Sequence, residues 1–111
     1  MGTRAFFDEY IGIVSEVSTG DSFTCLVDLG LKSNITAEVR LLGVSAEPPL
    51  FFSGKVALEM LRRLIEGGVV LLIIPAGQVF PNFECTVFAQ SSFLGKSVNQ
   101  YMIENGVVVV V

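Results

Sequence analysis

The sequence predicts an α+β fold, a five-stranded β-barrel with α elements packed on its ends. Two kinds of pattern and their order lead there. Five segments of strand length show period-two alternation or branched apolar runs, and two segments show helical spacing with start and stop signals. They follow one another as β-β-β-α-β-β-α, and no repeat, linker or low-complexity stretch divides them apart from a valine tail.

Tyr10–Ser18 and Ser22–Leu29 read as two strands of a hairpin closed by the turn cluster Thr19-Gly20-Asp21. In the second strand Phe23, Cys25, Val27 and Leu29 alternate with Ser22, Thr24, Leu26 and Asp28, which puts Cys25 on the apolar face as a small hydrophobe. After a polar Gly30–Asn34 loop, Ile35–Val44 continues the meander as a third strand rich in branched residues. Pro48 and Pro49 make Ser45–Pro49 a loop at a strand end, where sites tend to lie. The clearest helix starts at Ser53 as cap and stops at Gly67-Gly68; Val56, Met60, Leu61, Leu64 and Ile65 form a stripe expected in the core, opposite Lys55, Glu59, Arg62, Arg63 and Glu66.

Val69–Ile74 is a short apolar run bounded by glycines and Pro75, the pattern of a strand buried on both faces. Pro75–Asn82 is a loop, and Phe83–Gln90 returns to alternation with Phe83, Cys85, Val87 and Ala89 on one side. Ser97 opens the second helix, with Gln100 completing a capping box and Gly106 closing it. Three strands ahead of the first helix suit the oligonucleotide/oligosaccharide-binding (OB) barrel. A ferredoxin-like sandwich would begin β-α-β.

The chain has 111 residues, enough for one domain over 1–111. It is 51% hydrophobic and only 16% charged, so it either has an unusually apolar surface or covers part of it with a partner. The absence of histidine removes the usual zinc sites and histidine-based triads, and leaves oxygen-ligated hard cations as the metals to consider. Neither a signal peptide nor a run of membrane-spanning length is visible, so a cytoplasmic location is expected. Net charge −4 weighs against nucleic acid as partner. Gly95-Lys96-Ser97 has the ending of a phosphate-binding P-loop, but Gln90 stands where its first glycine belongs. Lys55, Arg62 and Arg63 share a face with Glu59 and Glu66 and read as a solvated helix surface.

Three stretches together carry a family resemblance. Thr19-Gly20-Asp21-Ser22-Phe23, Val39-Arg40-Leu41-Leu42-Gly43-Val44 and Gly95–Gly106 (GKSVNQYMIENG) look like the aspartate-bearing hairpin, the R-L-x-G-I strand and the G-K-x-V-N-x-x-L-V-x-x-G helix of the staphylococcal-nuclease-like family, in its order. The resemblance covers about residues 10–111 and implies the OB barrel of the nuclease type. That family cleaves nucleic-acid phosphodiesters with calcium. Two aspartates help hold the ion, a glutamate assists the attacking water, and two arginines neutralise the phosphate, as such chemistry requires.

By this resemblance Asp21 matches the first aspartate and Arg40 the first arginine. The other positions depart. Ser45 replaces the second aspartate, Ala46 the following threonine, Glu47 falls on the proline and Pro48 on the glutamate; the second arginine is Thr86 or, slipped by one, Cys85. Glu47 lies seven residues after Arg40 where the pattern has eight, so only a re-aimed loop lets it act as base. Losing one charged stabiliser or base costs about 10²–10⁴ in rate. The expectation is therefore a degenerate, non-catalytic module that binds protein or serves as a scaffold, with no cofactor. The alternative is a weak calcium-dependent phosphodiesterase using Asp21, Arg40 and a displaced Glu47, with Asp21 as its metal ligand. Binding of single-stranded nucleic acid through Phe and Tyr stacking is a third reading. Val107, Val108, Val109, Val110 and Val111 form a terminal strand whose unpaired edge invites pairing with another chain.

Overall fold

Alternating residues that cannot all face water close on themselves here. The computed structural model describes residues 7–78, 81–90 and 95–111. In chain order the elements are β1 (Phe7–Thr19), β2 (Ser22–Gly30), β3 (Ser33–Leu41), β4 (Val44–Ser45), α1 (Phe52–Ile65), β5 (Val69–Pro75), β6 (Asn82–Ala89), α2 (Val98–Glu104) and β7 (Val109–Val110). Five of the strands form a closed barrel in the order β1-β2-β3-β6-β5. Its seams are antiparallel except β3–β6, which is parallel. A closed mixed barrel with two helices is consistent with an OB-like architecture.

β1 is long because it pairs with two strands, β5 through Phe7–Ile13 and β2 through Ile11–Thr19. Strict alternation would not bury both Val14 and Val17. The register shift at Ser15 inserts the extra residue that turns both valines inward, and a second at Ser18 precedes the turn. Where β1 leaves β5, the end of α1 satisfies its backbone: Val14 N donates to Gly68 O (2.9 Å), Gly67 N donates to Val14 O (2.8 Å), and Val17 N donates to a Glu66 carboxylate oxygen (3.0 Å).

The core is made of the inward residues of the barrel strands, among them Phe23, Val27, Val39, Leu72, Phe83 and Val87. Ala57, Leu61 and Ile65 of α1 and Val98 and Met102 of α2 pack against them.

Several elements differ from the sequence reading, each for a local reason. The third strand splits at Gly43, whose φ of 80° turns the chain and leaves Val44–Ser45 as the separate β4. The polar loop shrinks to a turn at Leu31-Lys32, both in the left-handed region, because β2 and β3 extend to Gly30 and Ser33. Phe51, not Ser53, is the N-cap of α1, and it provides no side-chain hydrogen bond. β5 buries Val70, Leu72 and Ile74 while its other face is only half-buried, so one face of the run expected to be doubly buried stays near the surface. The Pro75–Asn82 loop lies partly outside the described residues. Of the helical stripe, Leu61 and Ile65 enter the core and Met60 and Leu64 pack half-buried against it while also lining an open groove, whereas Val56 is exposed. The valine tail pairs within the chain: Val110 lies opposite Val44, Val109 lies opposite Ser45, and Val111 N donates to Gly43 O.

α2 does begin at Ser97, whose hydroxyl accepts from Gln100 N at 3.1 Å. The Gln100 side chain reaches forward to Glu104 and does not complete the reciprocal half of the box. Two residues later Asn99 is buried and makes three hydrogen bonds. Its Oδ1 accepts from Val87 N (2.9 Å), and its Nδ2 donates to Leu42 O (3.0 Å) and Cys85 O (3.2 Å). Asn99→Ala leaves the Val87 N–H without this partner, at about 1–3 kcal/mol for an unsatisfied buried group, while the Cys85 carbonyl keeps the Leu42 N–H. Urea unfolding is expected to show a lower midpoint with an unchanged slope.

Candidate functional site

The β1–β2 hairpin brings the sequence-predicted aspartate to the barrel rim. Thr19 pairs with Ser22, leaving Gly20-Asp21 as a two-residue turn. A side chain at position 20 would come within 2.4 Å of Ala57 Cβ and 2.9 Å of Ala46 Cβ, so glycine lets the turn press against α1 and the loop after β4. The same loop is held from beneath at Gly54, where a Cβ would meet Pro48 O at 1.9 Å.

Asp21 is only 7% exposed. Its Oδ1 accepts from Thr19 Oγ1 (2.6 Å), and its Oδ2 accepts from Ala46 N (3.2 Å) and lies 3.5 Å from Arg40 Nη2. Thr19 Oγ1 is also 2.6 Å from Ser22 Oγ. Asp21 O accepts from Leu41 N, joining the turn to the end of β3. The carboxylate therefore ties three segments together: its own hairpin, the end of β3 and the Ser45–Pro49 loop. A local cue for this existed in Thr19 and Ser22, hydroxyl residues flanking the turn. Its long-range partner, the backbone of Ala46, has no sequence signature.

Asp21, Arg40 and Glu47 all line one open concavity of about 380 Å³, together with Thr19, Ser22 and the Ser45–Pro49 loop. Their roles differ. Glu47 is exposed and makes no hydrogen bond or ion pair among the described residues, while the Arg40 side chain is 58% exposed and leans on Asp21. Among the described residues Arg40 is the one cation lining this concavity. On its other side Arg40 faces a second hollow with Glu38 and Glu84, so carboxylates surround it. At the two positions considered for a second arginine, Cys85 points into the core and Thr86 lies half-buried on β6; neither adds positive charge.

A divalent ion at the rim would have Asp21 and Glu47 as its carboxylates, and the Asp21 oxygens already accept hydrogen bonds. No group of three or more acidic or cysteine residues arranged to hold a metal occurs among the described residues. No helix among them is long and apolar enough to cross a membrane. Neither models of known protein families nor curated proteins match the chain.

The sequence reading missed a second concave surface on the helices. Phe52, Val56, Met60 and Leu64, at successive i, i+4 positions of α1, form a groove of about 580 Å³ with Tyr101 of α2. Lys55, Glu59 and Arg63 run along its edge. The strict four-residue spacing was visible in the sequence, but not which of two adjacent apolar rows would be left uncovered.

The two thiols, Cys25 and Cys85, are free and fully buried in the barrel. Burial pushes the Cys25 thiol up to about 11; burial, with the neighbouring Cys25, pushes Cys85 up to about 12. Both are protonated at neutral pH and are not nucleophiles. A thiol reagent at pH 8 is expected to leave the folded protein unlabelled and to label both cysteines in denaturant. Because the folded state keeps protons that the unfolded chain releases above the ordinary value of 9.0, stability is full below that pH and falls as pH rises toward 11–12. Unfolding midpoints measured from pH 8 to 11 check the sign.

Proposed function

We propose that this chain is a non-catalytic barrel module, a degenerate relative of the staphylococcal-nuclease-like domains, that acts by binding protein or as a scaffold. The observation that carries the reading is the state of Asp21. It is buried, with its carboxylate bonded to Thr19 and to the backbone of Ala46, which makes it a clamp for the rim loop. The electrostatics of the concavity support it as well. A phosphodiester there would meet, among the described residues, Arg40 as the one lining cation beside Asp21 and Glu47, in a chain of net charge −4. Single-stranded nucleic acid is disfavoured for the same reason.

The second reading, a weak calcium-dependent phosphodiesterase, draws on the meeting of Asp21, Arg40 and Glu47 in one concavity. Plasmid cleavage with added calcium separates the two. The module predicts no cleavage above background, and Asp21→Ala shows itself only as lower stability, by about 1–3 kcal/mol for the unpaired Ala46 N–H. Robust cleavage that disappears in both Asp21→Ala and Glu47→Ala would falsify the module reading.

Self-association through Val107–Val111 belongs to the same proposal. β7 has β4 on one edge and no strand on its other edge among the described residues, and Val109, Val110 and Val111 are exposed. Light scattering is expected to show dimers whose population rises with concentration, and Val110→Lys is expected to shift them to monomer. A strictly monomeric protein at high concentration removes this part of the proposal.

A further inference from the structure

The groove between α1 and α2 combines an apolar floor with an excess of positive charge at its edge, Lys55 and Arg63 against Glu59, which pairs with Arg62. Phe52 is 83% exposed at the first position of α1, beside exposed Leu50 and Phe51. Behind it Val56, Met60 and Leu64 continue the row, with Tyr101 on the facing helix. The row spans three helical turns, about 18 Å at 1.5 Å per residue.

The charges along the edge are not balanced. Arg62 lies 2.8 Å from Glu59 and 3.5 Å from Glu66, so one arginine serves both acids of this face. Lys55 and Arg63, which line the groove, make no ion pair among the described residues. The first turn of α1 contains no acidic residue, and its N-cap Phe51 offers no side-chain acceptor. The partial positive charge of the helix N-terminus therefore adds to that of Lys55. In a chain of net charge −4 this is a local positive rim around an apolar floor.

We propose that this groove is the docking site for an acidic amphipathic helix of another protein, a proposal that rests on the reading of the barrel as a binding module. Apolar anchors of such a helix at i, i+4 and i+7 fill the row from Phe52 to Leu64, and its flanking carboxylates meet Lys55, Arg63 and the α1 N-terminus. Other occupants fit less well. A second copy docked by two-fold symmetry would set the cationic rim against itself. Anionic lipid is normally held by clusters of about 4–8 cations, against a protein here of net negative charge.

The probes are two fluorescein-labelled helical peptides with the same leucine spacing, one with glutamate at the positions between and one with lysine, titrated at low salt and followed by anisotropy. The glutamate peptide is expected to bind at least about fivefold more tightly, the scale of two rim ion pairs. Lys55→Glu combined with Arg63→Glu reverses the preference, and Phe52→Ser weakens both peptides. Since all three residues sit at the surface, circular dichroism of the variants should match the parent.

No binding of the glutamate peptide, an unchanged preference after charge reversal, or indifference to Phe52→Ser would each overturn the proposal. Two further outcomes overturn it in favour of another occupant. One is sedimentation with phosphatidylglycerol vesicles, lost on charge reversal, without peptide binding. The other is a dimer lost in Phe52→Ser, without peptide binding. The plasmid assay reads the module separately: peptide failure without cleavage removes the groove alone, whereas cleavage removes the module reading.

Discussion

Closure of the barrel rests on β3 and β6. Every other seam is antiparallel, and β1–β2 and β2–β3 are joined by tight turns, so those strands meet with little loss of chain entropy. β3 and β6 are parallel and pair at only four positions, Glu38–Leu41 against Asn82–Cys85. Between them the chain must first build β4, α1 and β5. A short parallel ladder that closes a long loop needs support beyond its own hydrogen bonds. Asn99 supplies it from outside the barrel, reaching from α2 to Val87 and Cys85 on β6 and to Leu42 just past β3. The Leu42 N–H donates to Cys85 O, so the side chain extends the seam where the ladder ends.

That closure also sets the rim. Leu41, the last residue of β3 in the seam, donates its N–H to Asp21 O, and the Asp21 carboxylate in turn holds Ala46. Barrel, hairpin turn and loop thus form one mechanical unit. Gly20 and Gly54 allow it, because each lies where a Cβ would strike the neighbouring segment. The architecture needs Asp21 whether or not a metal ever binds near it.

The apolar excess of the chain finds two outlets. Much of it fills the barrel and the faces of α1 and α2 turned toward it. The rest stays outside, at Leu50–Phe52 and Val56, with half-buried Met60 and Leu64 behind them, and at Val109–Val111. Contiguous exposed apolar surface of this kind usually marks a contact site.

Patterns that depend on neighbours in the chain were legible in the sequence. Alternation in Ser22–Leu29 and Phe83–Gln90 located β2 and β6 and buried both cysteines; Ser97 and Gly106 bounded α2, and Gly67-Gly68 stopped α1. The number of barrel strands followed from counting such segments, whereas Asp21, Arg40 and Glu47 were named as site candidates only through the family resemblance. Whether those three share a concavity was decided by tertiary structure, because the β2–β3 register sets Ser22 opposite Arg40 and the Asp21 carboxylate draws in the backbone of Ala46. So was the division of α1: its periodicity shows an apolar side about two rows wide, and only the barrel's shape determines that Leu61 and Ile65 are fully covered, Met60 and Leu64 half-buried against the core and Val56 exposed. The role of Asn99 lay beyond local reading for the same reason, since its partners at Leu42, Cys85 and Val87 come together only when the barrel shuts.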